Sequence, residues 1–367
     1  MKIFLVILGW LTVLFTGVAG QDKDYLDKNW KEVSTKMPEK WYGSDAALAV
    51  AENVLLCQKE IGGWAKNEPY HHPMSEKDKA LVIAARHEAG ATIDNGATTM
   101  EMRFLAKVYD QQGGEVIKEG FVKGLDYLLE AQYDNGGWPQ FYPKRGEGHY
   151  SAAITYNDNA MVNVMVLLKE VYEGHKDFKA LTLSAELKDR ARAAIDKGVT
   201  CILNTQIIVE GKPTVWCAQH DAETLEPVKA RSYELPSFSG GESTGVVLLL
   251  MSIENPTDEV VAAVKGAVEW FETYKIEGLR IQWFEDEGGD PDRMVVKDPD
   301  ATPLWGRFYD LEKVVPFFCD RDGIKKWSMA EIGRERRTGY GWYTDKPSAV
   351  LKKYPEWRKK VGLNEPL

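Results

Sequence analysis

The amino-acid sequence contains a regular internal repeat, and this repeat restricts the possible folds more than any other feature. Gln58, Gln132 and Gln206 are evenly spaced along the chain, and each follows apolar residues with helical spacing. A glycine-containing break and a tryptophan come next, as in the segments GGW at 62–64 and GGW at 136–138. A repeat of this kind indicates one structural unit that is stacked several times along the chain.

A second helical segment follows each break and begins at polar residues. These starts lie at Asp94-Asn95, at Asp158-Asn159 and at Glu242-Ser243, and such residue types are common at helix N-termini. Two helices per repeat, with almost no alternating strand pattern, predict stacked helical hairpins and an all-α fold. The length alone suggests about two domains. The repeat instead predicts a single domain over residues 21–367, with the hairpin loops converging on a cleft.

The N-terminal segment, residues 1–20, has the layout of a secretory signal peptide. Lys2 precedes an apolar run over residues 3–15, and the small residues Val18-Ala19-Gly20 stand before a polar segment. We expect cleavage after Gly20 and export to the periplasm or the medium, with no membrane attachment afterwards. An uncleaved membrane anchor is the alternative.

Export permits disulfides, so the four cysteines need an interpretation. They are Cys57, Cys201, Cys217 and Cys319. None has a CxxC or zinc-site spacing, so we expect free thiols. A bond between Cys201 and Cys217 is the least implausible disulfide.

The net charge of −10 disfavours a broad nucleic-acid-binding surface, because phosphate contacts need clustered Lys and Arg. The same negative net charge also disfavours a polyanionic substrate, because like charges repel. A cleft can nevertheless differ in sign from the whole protein.

Three residues at the helix starts carry oxygen atoms suited to a metal ion. Asp94, Asn95 and Asp158 would be ligands for Ca²⁺ if the fold brought them together. The same aspartates could simply cap their helices, or act as the acid and base of a glycosidase. The spacing alone does not separate these alternatives.

Aromatic and arginine side chains on the predicted loops are candidates for substrate binding. Trp64 and Trp138 lie on glycine-rich turns, where they could line a sugar-binding cleft or fill gaps between hairpins. Arg231, Arg307 and Arg321 lie in loops, and a guanidinium suits a carboxylate ligand as well as a structural ion pair. An arginine is an unusual base because its pKa lies above 12.

Taken in order, these segments resemble the family 10 polysaccharide lyases, which are pectate lyases. The resemblance runs from about Trp41 to Pro355, nearly the whole mature chain. One departure is Ala65, where the first turn of the family usually has proline. The motifs that carry the resemblance are GGWAKN (62–67), TIDNGAT (92–98), GGWPQ (136–140), YNDNA (156–160), ARSYE (230–234), RFYDL (307–311) and FCDRDG (318–323).

The resemblance implies an incomplete α/α toroid that cleaves polygalacturonate (pectate) by Ca²⁺-assisted β-elimination. It implies that Arg231 abstracts the C5 proton. The metal ligands that it implies are Asp94, Asn95 and Asp158. The substrate-binding residues that it implies are Lys66, Arg307 and Arg321, with Trp64 and Trp138 near the cleft. We expect the protein to act as a monomer.

Two other classes of protein stay open at this stage. One is a glycoside hydrolase on a related α/α scaffold, with Asp94 and Asp158 as its carboxylate pair. The other is a secreted glycan-binding protein without catalytic activity.

Overall fold

A computed structural model gives the fold of residues 24–146 and 148–363. The predicted signal peptide, residues 1–20, lies outside the described residues. Within the described ranges, no helix has the length and apolar character needed to cross a membrane.

Helices dominate this part of the chain, which confirms the prediction of an all-α fold. Most of them are amphipathic segments that end near a glycine or a polar cap residue. They are α1 (Trp30–Lys36), α2 (Asp45–Cys57), α3 (Glu76–Ala84), α4 (Thr99–Gln112), α5 (Glu115–Glu130), α6 (Ala160–Glu173), α7 (Lys176–Lys179), α8 (Ala185–Thr205), α9 (Glu242–Met251), α10 (Asp258–Thr273), α11 (Arg334–Gly339) and α12 (Pro347–Lys360).

The strands of the described residues are short and form two-stranded antiparallel sheets. They are β1 (Ile154–Thr155), β2 (Ile208–Val209), β3 (Lys212–Pro213), β4 (Gln219–His220), β5 (Leu279–Glu285), β6 (Pro291–Lys297), β7 (Trp305–Gly306), β8 (Phe318–Cys319), β9 (Lys325–Lys326) and β10 (Tyr343–Thr344). The β5–β6 pair is the longest, with Leu279 opposite Lys297 and Glu285 opposite Pro291. The other pairs brace the loops that connect the helices.

The longer helices form two rows. Helices α2, α5, α8 and α10 contact one another in sequence, and α4, α6, α9 and α12 do the same. The two rows pack together as an incomplete α/α toroid, as predicted. Most of the apolar core lies between the rows. A second apolar cluster, which includes Tyr233, Phe308, Tyr340 and Trp342, is formed mainly by residues of the C-terminal part.

The repeated glutamines join each hairpin to the next. The Gln58 side-chain amide donates to the carbonyl oxygen of Gly62 in its own turn, at 2.7 Å, and to that of Gly120 in α5, at 2.8 Å. The equivalent acceptor pairs are Gly136 and Ala194 for Gln132, and Thr214 and Ala263 for Gln206. One side chain thus satisfies carbonyls of two neighbouring repeats, which explains why glutamine recurs with the period.

The glycines of the turns permit close contact between neighbouring hairpins. Gly62 has φ of 105°, and a Cβ there would lie 2.3 Å from the carbonyl oxygen of Lys123. Gly136 has φ of 91° and would bring a Cβ to 2.0 Å from the carbonyl oxygen of Lys197. Any side chain at these positions would force the repeats apart.

We expect Gln58→Ala to lower the free energy of unfolding by about 2 to 3 kcal/mol, because it leaves two carbonyls without their hydrogen bonds. Urea denaturation of the mature protein measures this value. The matched control is Gln111→Ala at the exposed end of α4, which we expect to change stability by less than about 0.5 kcal/mol. Equal effects of the two substitutions would contradict the role assigned to Gln58.

All four cysteines are free thiols. The candidate pair Cys201 and Cys217 is buried without forming a disulfide. The expectation of free thiols agrees with the structure.

Candidate active site

Two short 3₁₀ segments, Asp94–Gly96 and Asn157–Asn159, lie next to each other just before α4 and α6. Each contains a residue in the left-handed region, Asn95 with φ of 53° and Asp158 with φ of 51°. Neither aspartate caps a helix, because Thr98 and Asn159 occupy the N-cap positions and neither has a side-chain cap bond. The capping interpretation of Asp94 and Asp158 is therefore wrong, and both side chains have other partners.

Asp94 is buried and forms an ion pair with Lys66. Its other carboxylate oxygen accepts a hydrogen bond from the backbone N–H of Asn95 at 3.1 Å. Asn95 is exposed, and its amide donates to the side-chain oxygen of Asn67 at 3.1 Å. The first 3₁₀ segment thus places a carboxylate, an amide and a lysine together.

Arg307 occupies the centre of the second group. It lies just after β7, and its side chain is 14% exposed. It pairs with the buried Glu242 at 2.7 Å, donates to Asn157 at 2.9 Å and reaches Asp158 at 3.4 Å. Glu242 also accepts the backbone N–H of Asp158 at 3.1 Å. The starts of α6 and α9 are therefore tied together through one guanidinium.

Arg231 lies in the loop before α9, and its side chain is 44% exposed. It binds Glu234 through two nitrogen atoms, with a distance of 2.8 Å between Nε and Oε2. Glu234 is buried and also accepts the Tyr340 hydroxyl at 2.7 Å. The hydrogen bonds to Glu234 raise the pKa of Arg231 above its ordinary value, so this contact favours the charged guanidinium.

Two tyrosine rings connect the arginines of the site. The ring centre of Tyr340 is 4.7 Å from the guanidinium carbon of Arg307 and 5.7 Å from that of Arg231. One ring therefore contacts both guanidinium groups. Arg321 lies on a second ring, with its guanidinium carbon 5.9 Å from the centre of Tyr233. Both rings belong to the second apolar cluster, so packing fixes the positions of the rings that these cations contact.

The structure excludes a substrate contact by Trp64 and Trp138. Both side chains are fully buried. Their indole N–H groups donate to the carbonyls of Val54 and Leu128, each at 2.7 Å, in the preceding helix. The prediction that these rings bind substrate is therefore wrong, and they fill the gaps between hairpins instead.

A cleft of about 440 Å³ opens between the two 3₁₀ segments. Asn95 and Asp158 line it, together with Lys31 and Lys346. Lys31 in α1 and Lys346, the residue before α12, thus add positive charge beside the side-chain oxygens of Asn95 and Asp158.

The sequence profile described as pectic acid lyase matches residues 58–351. The chain belongs to the pectic acid lyase family. Two solved structures of the family 10 polysaccharide lyase from Cellvibrio cellulosa are similar to it, one of them a point mutant in complex with trigalacturonic acid. Each of these structures is 34% identical in sequence to this chain, with a TM-score of 0.75. The similarity covers 91% of this chain in both cases, 96% of the mutant chain and 95% of the other chain. No curated protein matches the sequence.

Family membership confirms the prediction of a pectate lyase enzyme. It also decides between the three classes that the sequence left open, because neither a hydrolase nor a non-catalytic binding protein agrees with the match. The roles of individual residues stay predictions.

The side-chain oxygens at the two 3₁₀ segments are of the chemical type that binds a hard cation such as Ca²⁺. Asp94, Asn95 and Asp158 offer carboxylate and amide oxygens from adjacent segments, and these are the ligand types that Ca²⁺ prefers. Among residues 24–146 and 148–363, no group of three or more His, Cys, Asp or Glu side chains is arranged to hold a metal. Since Ca²⁺ takes about six to eight oxygens, water and substrate would have to supply the remainder.

Sequence reasoning missed several residues of the site. The sequence marks Glu242 only as a helix start, because its pairing with Arg307 joins segments that are far apart in sequence. Glu234 stands three residues after Arg231, a spacing that could have suggested an ion pair. Asn157 and Tyr340 gave no signal of their own beyond their place in polar or aromatic segments.

Proposed function

We propose that this lyase cleaves polygalacturonate by Ca²⁺-assisted β-elimination and releases 4,5-unsaturated oligogalacturonates. The observation that carries the proposal is the position of Arg231 and Arg307 against the one ring of Tyr340, with Asp158 in contact with Arg307. The trigalacturonic acid in the related complex supports the substrate class.

Substrate carboxylates would bind to Lys66, Arg307 and Arg321. Each of these cations already contacts a carboxylate of the protein, so a substrate carboxylate would bind beside that partner or displace it. A uronate chain carries one carboxylate per sugar, so spaced guanidinium and ammonium groups suit it. The overall charge of −10 does not prevent this, because these cations act at short range.

Asp94, Asn95 and Asp158 would hold the Ca²⁺ ion. When bound, the ion would neutralise a uronate carboxylate and so make the adjacent C5 proton more acidic. Asn95 and Asp158 line the cleft, and Asp94 lies buried in the same 3₁₀ segment as Asn95, so all three belong to the segments just before α4 and α6.

Arg231 would take the proton from C5. The electron pair of the broken C5–H bond then forms the C4–C5 double bond, and the C4–O bond breaks with its electrons on the glycosidic oxygen, which takes up a proton. Such a base needs a deprotonated guanidinium, whereas the bond to Glu234 favours the charged form. Proton abstraction therefore requires Arg231 to leave Glu234 and to be surrounded by other cations, and Arg307 on the same tyrosine ring is one of them.

We also propose that the mature protein is a single-domain monomer, exported after cleavage at Gly20. The internal repeat supports the single domain. The layout of residues 1–20 supports export.

The test is the ultraviolet absorbance of the unsaturated product. Purified protein incubated with polygalacturonate and Ca²⁺ should give a steady rise in absorbance, because elimination creates a double bond conjugated with the carboxylate. Addition of a chelator should stop the rise, and excess Ca²⁺ should restore it. A rise that the chelator does not affect would contradict the metal requirement, and no rise under any condition would contradict the lyase reaction.

A further inference from the structure

A further arginine lies beside the proposed catalytic arginine. Arg336, at the third position of α11, is almost completely buried, with 9% of its side chain exposed. Its guanidinium carbon is 4.6 Å from the ring centre of Tyr233. The guanidinium carbon of Arg231 is 4.9 Å from the same ring centre, so one aromatic ring contacts both groups.

The partner of Arg336 is an exposed carboxylate. Glu335 binds Arg336 through both oxygens, with 2.7 Å between Oε2 and Nε. The same carboxylate accepts from Arg321 at 2.9 Å. Its side chain is 61% exposed, and among the described residues it is the only acid within ion-pair distance of Arg336.

The pairing of the buried Arg336 with the exposed Glu335 differs from an ordinary structural ion pair. A buried guanidinium needs an anion nearby, because burial of an unpaired charge is costly. The anion here is at the surface, so its carboxylate could turn into water and be solvated there. An incoming carboxylate could therefore take the place of Glu335, and Arg321 and Arg336 would bind this carboxylate from two sides.

Neighbouring arginines of α11 show the contrast. Arg337 binds the buried Asp292 at 2.7 and 2.6 Å, an internal pair that holds α11 against β6. Arg334 is exposed and pairs with acids of the β5–β6 turn. Of the three, only Arg336 combines a buried cation with an exchangeable anion and contact with a ring that Arg231 shares.

We propose that Arg321 and Arg336 form a second uronate-binding subsite beside Arg231, and that Glu335 occupies this subsite until a substrate carboxylate displaces it. The inference rests on the proposed function, because it assumes a polyuronate chain that passes Arg231. It adds a binding role for Arg336 and a competing role for Glu335.

The test is calorimetric titration of the mature protein with hexagalacturonate in the presence of chelator, which stops turnover under the proposed mechanism. Glu335→Gln should lower the dissociation constant about threefold or more, because the competing anion is gone. Arg336→Lys should raise it about tenfold, because the two-nitrogen contact is lost. The controls Glu331→Gln and Arg334→Ala, on exposed positions close by, should bind like the wild type.

Several outcomes would overturn the subsite. Weaker binding by Glu335→Gln would mean that Glu335 serves to hold Arg336 in place. Unchanged binding by both Glu335→Gln and Arg336→Lys, or no binding by the wild type, would also reject the subsite. Thermal melting of each variant establishes that it is folded, and Arg321→Ala gives a second, exposed position at which the predicted loss can be measured.

The absorbance assay with Ca²⁺ on the same preparations separates this inference from the proposed function. A wild type that forms unsaturated product, with dissociation constants that neither variant changes, would leave the lyase reaction intact and reject the subsite. The predicted changes in binding, without any unsaturated product, would leave the subsite intact and reject the reaction.

Discussion

Arg231→Ala is expected to lower kcat on polygalacturonate by about 10²- to 10⁴-fold, the range found when a general base is removed. The substitution takes away the group that would accept the C5 proton. Glu234 is buried and would lose its cation, which should lower stability. It would keep its hydrogen bonds from the Tyr340 hydroxyl and from the backbone N–H of residue 231, so the fold should be retained. Initial rates of unsaturated-product formation, with circular dichroism of the same sample, measure both effects.

The matched control for this prediction is Arg190→Ala. Arg190 has a similar exposure of 43% and also pairs with an acid, Asp126, but it lies on α8, outside the loops that form the site. It should change kcat by less than about twofold. If Arg231→Ala raised KM and left kcat unchanged, Arg231 would bind substrate without acting as the base.

Arg307→Leu is expected to lower both stability and activity. It leaves the buried carboxylate of Glu242 without its cation, and loss of one partner of such a pair costs about 3 to 5 kcal/mol. It also removes a proposed contact to the substrate carboxylate, for which we expect kcat/KM to fall by at least about 10²-fold. Urea denaturation and initial rates give the two quantities.

A double variant separates the two roles of Arg307. Arg307→Leu with Glu242→Gln removes the unpaired charge and should recover most of the free energy of unfolding. Activity should stay low, because the substrate contact is still absent. Recovery of both stability and activity would mean that Arg307 only compensates Glu242.

The repeat predicted the architecture because each of its residues has a local function. A glutamine joins two hairpins, a glycine permits their close contact, and a buried tryptophan closes the gap between them. These functions recur from copy to copy and therefore appear as a period. The same logic explains the error at Trp64 and Trp138, because residues that recur with the repeat serve the packing of the repeat.

The active-site residues could be predicted only in part. Polar helix starts are visible in sequence and make Asp94, Asn95 and Asp158 candidates, but the sequence does not show the partners of these residues. Spacing cannot show which loops meet, so the contacts of Arg307 with Glu242 and of Arg336 with Tyr233 required the structure. Overall charge was equally uninformative, since most cations of the site have an acidic partner beside them.

Mass spectrometry of the products from trigalacturonate tests the central claim most directly, with Arg231→Ala as the blank. Elimination adds no water, so one product should be lighter than the corresponding saturated oligogalacturonate by one molecule of water, and Arg231→Ala should form it at least about 10²-fold more slowly. Two saturated products, whose masses together include an added water, would identify hydrolysis and contradict the account.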